Sequence, residues 1–130
     1  MSASLRVLSP GLSTTIQDLG RPGYAQLGVP ASGALDPVSL RAANTLVGNP
    51  PGAGALEVLH VGSAFAIDAH SVRMSFAGAD ATIELSSGGD AGRGWPIETM
   101  RSIRLVRGDV ISTRLLITLE IHQKAVVNLP

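Results

Sequence analysis

Only one segment of this chain carries a full set of helix signals, and that shortage constrains the fold more than any other feature. Asp36 stands where a helix N-cap belongs, Pro37 fills the first helical position, and Gly48 stops the run before Asn49, Pro50 and Pro51. Between them Leu40, Ala43, Asn44 and Val47 recur at i, i+3, i+4 and i+7, the spacing of one buried stripe. Elsewhere the apolar residues come in short runs cut by Gly, Asp or Ser. Strands are expected at Leu5–Leu8, Thr14–Asp18, Leu56–Val61, Ala64–Ile67, Val72–Phe76 and Ile83–Leu85, with the third and fourth forming a pair. Such a chain is mainly β with one helix, arranged as a barrel or sandwich.

At 130 residues this is a single domain with a modest core. Ten acidic and ten basic side chains leave a formal charge of zero, so no attraction to nucleic acid or to an anionic membrane surface is expected. The absence of cysteine excludes disulfides, a thiol nucleophile and thiolate zinc sites. No segment approaches the roughly 20 apolar residues of a membrane span, and the opening MSASLRVLSPG lacks a secretory apolar run. A cytoplasmic location is expected. His60, His70 and His122 fall in separate segments without metal-ligand spacing, so no metal site is expected. The glycine-rich run over residues 88–94 lacks the Lys-Ser/Thr of a phosphate loop and reads as a hairpin loop.

Chemistry concentrates instead between residues 17 and 36. A non-periodic stretch of this length in a compact domain is either functional or disordered, and Tyr24, Leu27, Val29 and Leu35 are anchors that disordered segments lack. Arg21-Pro22-Gly23-Tyr24 fits a type II turn that projects Arg21 and Tyr24 from its ends. Arginine clamps carboxylates and tyrosine stacks on or bonds ligands, although the same pair also commonly packs a turn. The two-residue period of the preceding strand puts Gln17 on one face with Thr15. Asp18 either serves the site, by accepting a proton or orienting Arg21, or caps the turn that follows it. Ser32 and Gly33 are placed to offer backbone amides to an anion near the helix start, where Asp36 is the competing cap. Ser32 has no evident histidine and acid partners, which argues against a nucleophilic triad.

Three further polar residues have structural readings. Asn44, an amide on the buried stripe, must tie down a neighbouring loop. Asp80 forms the turn that ends Phe76-Ala77-Gly78-Ala79-Asp80. Glu57 alternates with Leu56 and Val58, so it points away from one apolar face, toward either solvent or a barrel mouth.

SPGLSTTIQDLGRPGY, followed by LGVPASGALDP and LRAANTLVGN, resembles the opening of the biotin-dependent carboxyltransferase-like family. That family includes the C subunit of 5-oxoprolinase, allophanate hydrolase subunit 2 and part of the urea carboxylase carboxyltransferase domain. The similarity continues through ALEVLHVGSAFAID and FAGAD, and more weakly through WPIETMRSIRLVRGDVI. The resemblance implies a cyclophilin-like β-barrel that works beside a second subunit of related fold. It implies an amide-like substrate, opened with ATP in the case of 5-oxo-L-proline or carboxylated from carboxybiotin in the case of urea. Gln17, Asp18, Arg21, Tyr24, Ser32 and Gly33 match the family opening and are the candidate substrate-binding residues. Asp36, Asn44, Asn49 and Asp80 match it with structural roles. No residue stands out as catalytic base. No biotin-carrier lysine motif or ATP site is recognised, so ATP or biotin would come through partners: a subunit-B-like protein and, in an oxoprolinase, a subunit-A-like protein.

The resemblance also divides the chain. Residues 1–111 correspond to the N-terminal part of the carboxyltransferase-like domain. Residues 112–130 form a divergent tail without glycine, the pattern of a truncation or frameshift. The alternating Leu115, Ile117, Leu119 and Ile121 would suit a strand. Three functional expectations follow: a component of an oxoprolinase-like or urea-carboxylating complex, a non-catalytic regulator of a partner protein, or an inactive remnant.

Overall fold

A computed structural model of the chain describes residues 4–59, 62–78, 81–87, 94–114 and 124–127. Ten strands and one α-helix are found there: β1 (Ser4–Pro10), β2 (Ser13–Gln17), α1 (Pro37–Val47), β3 (Ala55–Leu59), β4 (Ser63–Asp68), β5 (Ser71–Gly78), β6 (Thr82–Ser86), β7 (Trp95–Ile97), β8 (Ser102–Val106), β9 (Val110–Arg114) and β10 (Lys124–Val127). The architecture is mainly β with one helix, as the strand and helix signals require. The strands form two five-stranded sheets, ordered β1-β4-β9-β6-β7 and β2-β3-β10-β5-β8. Among the described residues no strand pairing closes either sheet on itself.

The sheets share one core. Phe65 and Ile67 of β4, Ile83 of β6 and Ile111 of β9 meet Val58 of β3, Met74 and Phe76 of β5 and Leu105 of β8. Period-two alternation explains which residues enter it, and the strand β5 shows where that alternation stops. From Ser71 to Met74 exposed and buried residues alternate, whereas Ser75, Phe76 and Ala77 are all buried. The second half of β5 is covered on both faces. On its outer face α1 packs Leu40 and Ala43 against Ala55 and Ala77, and the Ser75 hydroxyl donates to the Ala43 carbonyl at 2.6 Å.

The helix obeys its signals. Asp36 accepts from the N–H groups of Val38 and Ser39 at 3.1 and 3.0 Å, and Gly48 donates back to Thr45. Asn44 is fully buried and donates through Nδ2 to the carbonyls of Pro51 and Ala53 at 3.2 and 2.9 Å. It therefore fastens the helix to the turn that feeds β3. The Asn49 N–H donates to the Asn44 carbonyl at 2.9 Å and completes the same corner. Asn44→Ala strands two carbonyls, and a loss of about 2 kcal/mol in denaturant unfolding is expected.

Two expectations need correction. The segments Leu56–Val61 and Ala64–Ile67 do not pair: β3 lies between β2 and β10, and β4 between β1 and β9. Val58 and Phe65 both enter the core, so consecutive strands face each other from different sheets. The strand expected over Thr14–Asp18 ends at Gln17, because Asp18 turns aside to accept the Gly20 N–H through Oδ1 at 2.7 Å. The strands β7, β8 and β9 are additional to those the sequence signals, and β10 lies beyond the alternating run of the tail. That run, together with Asp80, His60, His122 and most of the 88–94 loop, lies outside the described residues.

The sheets join where β1 runs into β2. Thr14 and Ser63 donate their hydroxyls to the Pro10 carbonyl at 2.7 and 3.3 Å. No helix among the described residues is long and apolar enough to cross a membrane.

Candidate functional site

The loop between β2 and α1 is held shut at its base by its own backbone. Arg21 N–H donates to the Ala31 carbonyl and Ala34 N–H to the Asp18 carbonyl, both at 2.8 Å, so residues 18–21 run against residues 31–34. Two glycines allow the two sides of this neck to touch. A Cβ on Gly20 would fall on the Ala31 carbonyl and 2.6 Å from that of Ser32, and one on Gly33 would fall 2.7 Å from the Gly20 nitrogen. Both glycines have positive φ, at 75° and 90°.

Beyond the neck the chain turns twice. Gly23 has φ 96°, the conformation a type II turn requires at its third position, and Arg21 and Tyr24 stand at the turn's two ends. A short 3-10 turn over Ala25–Leu27 follows, closed by Leu27 N–H to Tyr24 O and Gly28 N–H to Ala25 O, each at 2.9 Å. Tyr24, Leu27 and Leu35 are more than half exposed. Ser32 carries a side chain in the left-handed region, φ 55°, which costs about 1–2 kcal/mol and persists only where neighbours impose it.

A buried carboxylate anchors the loop to the sheet. Glu57, 6% exposed, lies on the face of β3 turned from the core and accepts the Leu35 N–H through Oε2 at 2.8 Å. Its direction follows from alternation, as expected, but it faces neither solvent nor an open mouth. No sequence signal points to its partner, since Leu35 stands 22 residues earlier in the chain. Glu57→Ala is expected to speed hydrogen exchange at the Leu35 amide and cost about 1–3 kcal/mol, while Glu57→Gln retains an acceptor and most of the protection.

The sequence candidates are thus gathered on one loop in different circumstances. Gln17 ends β2 and donates through Nε2 to Thr15 Oγ1 at 3.2 Å, in keeping with their shared face. Asp18 caps its turn rather than standing free. Arg21, Tyr24 and Ser32 are exposed, and Gly33 is packed against Gly20. Asp36 holds the helix N-terminus fully, taking the Ser39 hydroxyl at 2.6 Å besides two N–H groups, so an anion at Ser32 and Gly33 would meet this carboxylate. His70 is exposed between β4 and β5.

Residues 27–118 match the family described as "Carboxyltransferase domain, subdomain A and B", a span that takes in Leu27 to Gly33 of the loop, α1 and the strands β3 to β9. The chain belongs to this carboxyltransferase-domain family. It is 50% identical over 54 residues to the C subunit of 5-oxoprolinase from Escherichia coli, an alignment covering 42% of this chain and 17% of that protein. It is 36% identical over 107 residues to the urea amidolyase of Lachancea kluyveri, covering 82% of this chain and 5% of that protein. The crystal structure of Kluyveromyces lactis urea carboxylase superimposes with a TM-score of 0.79 at 31% identity, over 96% of this chain and 10% of that one. The chain therefore spans a small part of each relative's length.

Proposed function

We propose that this chain is a subunit-C-like component of an ATP-dependent 5-oxoprolinase complex acting in the cytoplasm, with the loop over residues 17–36 as its substrate-side element. The observation that carries this reading is the 50% identity to the C subunit of a 5-oxoprolinase. The reaction adds water across the ring amide of 5-oxo-L-proline, breaking the C–N bond and giving L-glutamate. Its developing oxyanion calls for positioned donors, and Arg21, Tyr24, Gln17 and the backbone around the strained Ser32 are the donors this chain offers. Asp18 and Gly33 shape that arrangement through the turn and the neck. ATP enters through partners, and subunit-B-like and subunit-A-like proteins are the expected ones.

A second reading, a carboxyltransferase component acting on urea with carboxybiotin, is favoured by the longer alignment to urea amidolyase. Coexpression with a subunit-B-like protein, followed by size-exclusion chromatography and addition of a subunit-A-like protein, separates the two. A complex that releases glutamate from 5-oxoproline only with ATP supports the first. Carboxylation of urea by a biotin carboxylase and carrier with this chain, without glutamate release, supports the second. A stable complex with neither activity assigns the chain a regulatory role, and no complex leaves an inactive remnant.

A further inference from the structure

The outer face of the first sheet carries a cleft that the loop does not touch. Leu5, Phe65, Ile67 and Ile111 point into the core, so Arg6 and Leu8 of β1, Ala66 and Asp68 of β4 and Val110 of β9 point outward. With Arg107 and Gly108 of the turn between β8 and β9 they line a cleft of about 340 Å³. The floor is apolar: Ala66 is 6% exposed although it stands on the outer face. The rim is charged, and its charges do not balance. Arg107 Nε lies 3.1 Å from Asp68 Oδ1, while Arg6 is exposed and its side chain makes no ion pair or hydrogen bond among the described residues. Two guanidinium groups against one carboxylate leave one positive charge in excess.

We propose that this cleft binds a small organic anion, a carboxylate carried on a short apolar chain. A guanidinium presents its N–H groups in a planar fork that matches a carboxylate, whereas the side chains of Ala66, Leu8 and Val110 offer dispersion contacts and no hydrogen-bonding group to the remainder of the ligand. The volume is at the small end of ligand sites, which excludes extended polymers and suits a molecule of a few heavy atoms. Asp68, already paired with Arg107, disfavours a second negative charge beside it, so a monoanion suits the site best. The site shares no residue with the loop over residues 17–36, so it stands or falls independently of the oxoprolinase reading.

The test is an NMR titration of the full chain with butyrate, with butyramide as its neutral counterpart and inorganic phosphate as an anion without an apolar part. Butyrate is expected to give saturable shifts at the amides of Arg6, Ala66 and Gly108, and butyramide to bind about tenfold more weakly or not at all. Arg6→Gln, an exposed substitution whose fold the same spectrum verifies, is expected to weaken butyrate about tenfold, and Arg107→Gln to do likewise. Shifts that stay linear in concentration, or that persist unchanged in Arg6→Gln, would overturn the proposal. So would phosphate binding as tightly as butyrate, because the apolar floor would then contribute nothing.

Discussion

Replacing Gly20 with alanine is expected to break the neck of the loop. The new methyl group would overlap the Ala31 carbonyl and lie 2.6 Å from that of Ser32, and φ 75° is itself unfavourable for alanine. Strain and overlap together are on the order of 3 kcal/mol, enough to separate residues 18–21 from 31–34. The check is hydrogen exchange at the Arg21 and Ala34 amides, which donate across the neck and should lose most of their protection. Gly23→Ala is the internal comparison. Gly23 also has positive φ, at 96°, but a methyl group there meets nothing within 4 Å, so only the conformational cost of about 1 kcal/mol remains and neck protection is retained. Equal loss of protection in both variants would mean that close approach is not what holds the loop.

The largest effect on global stability is expected from Phe76→Ala. Phe76 is fully buried on β5, between the ladders to β8 and β10, and fills the space where the two sheets bring together Val58, Ile83 and Leu105. Removing the ring leaves a cavity in a well-packed core and should cost about 3–5 kcal/mol, a large share of the stability of a domain this size. Chemical denaturation measures it. A cost below about 1 kcal/mol would contradict a core shared by both sheets.

The legible parts of this fold are those fixed by neighbours in sequence. Asp36, Pro37 and Gly48 punctuate α1 because caps and stops act over three or four residues, and Asn44 reveals its role because a polar residue on an apolar stripe must bond something close by. Gly23 announces its turn for the same reason. What stays hidden depends on distant partners. Alternation identifies the inward face of β3 and β4 yet says nothing about which strand lies alongside, so their placement in different sheets has no signature in the sequence. The short runs at β7 and β8 include the exposed Pro96 and Arg104 and hold no sustained pattern to read. Within the candidate site, alternation sets the direction of Glu57, but its bond to Leu35 and the contact of Gly20 with Gly33 arise only when the loop closes on itself.

The proposed role of the loop as the substrate-side element is the point on which the functional reading turns, and one measurement reaches it most directly. ATP-dependent glutamate release from 5-oxoproline by the full chain, coexpressed with a subunit-B-like protein and supplied with a subunit-A-like protein, should be compared among the wild type, the double variant Arg21→Ala with Tyr24→Ala, and Arg101→Ala. Arg101 pairs with Glu98 on an exposed turn far in sequence from the loop and serves as the control. The expected result is a loss of activity of about tenfold or more for the double variant with the complex retained, in line with the removal of two donors to the developing oxyanion, and no change for the control. Equal activity of all three proteins would contradict the assignment of the loop as the substrate-side element of this chain.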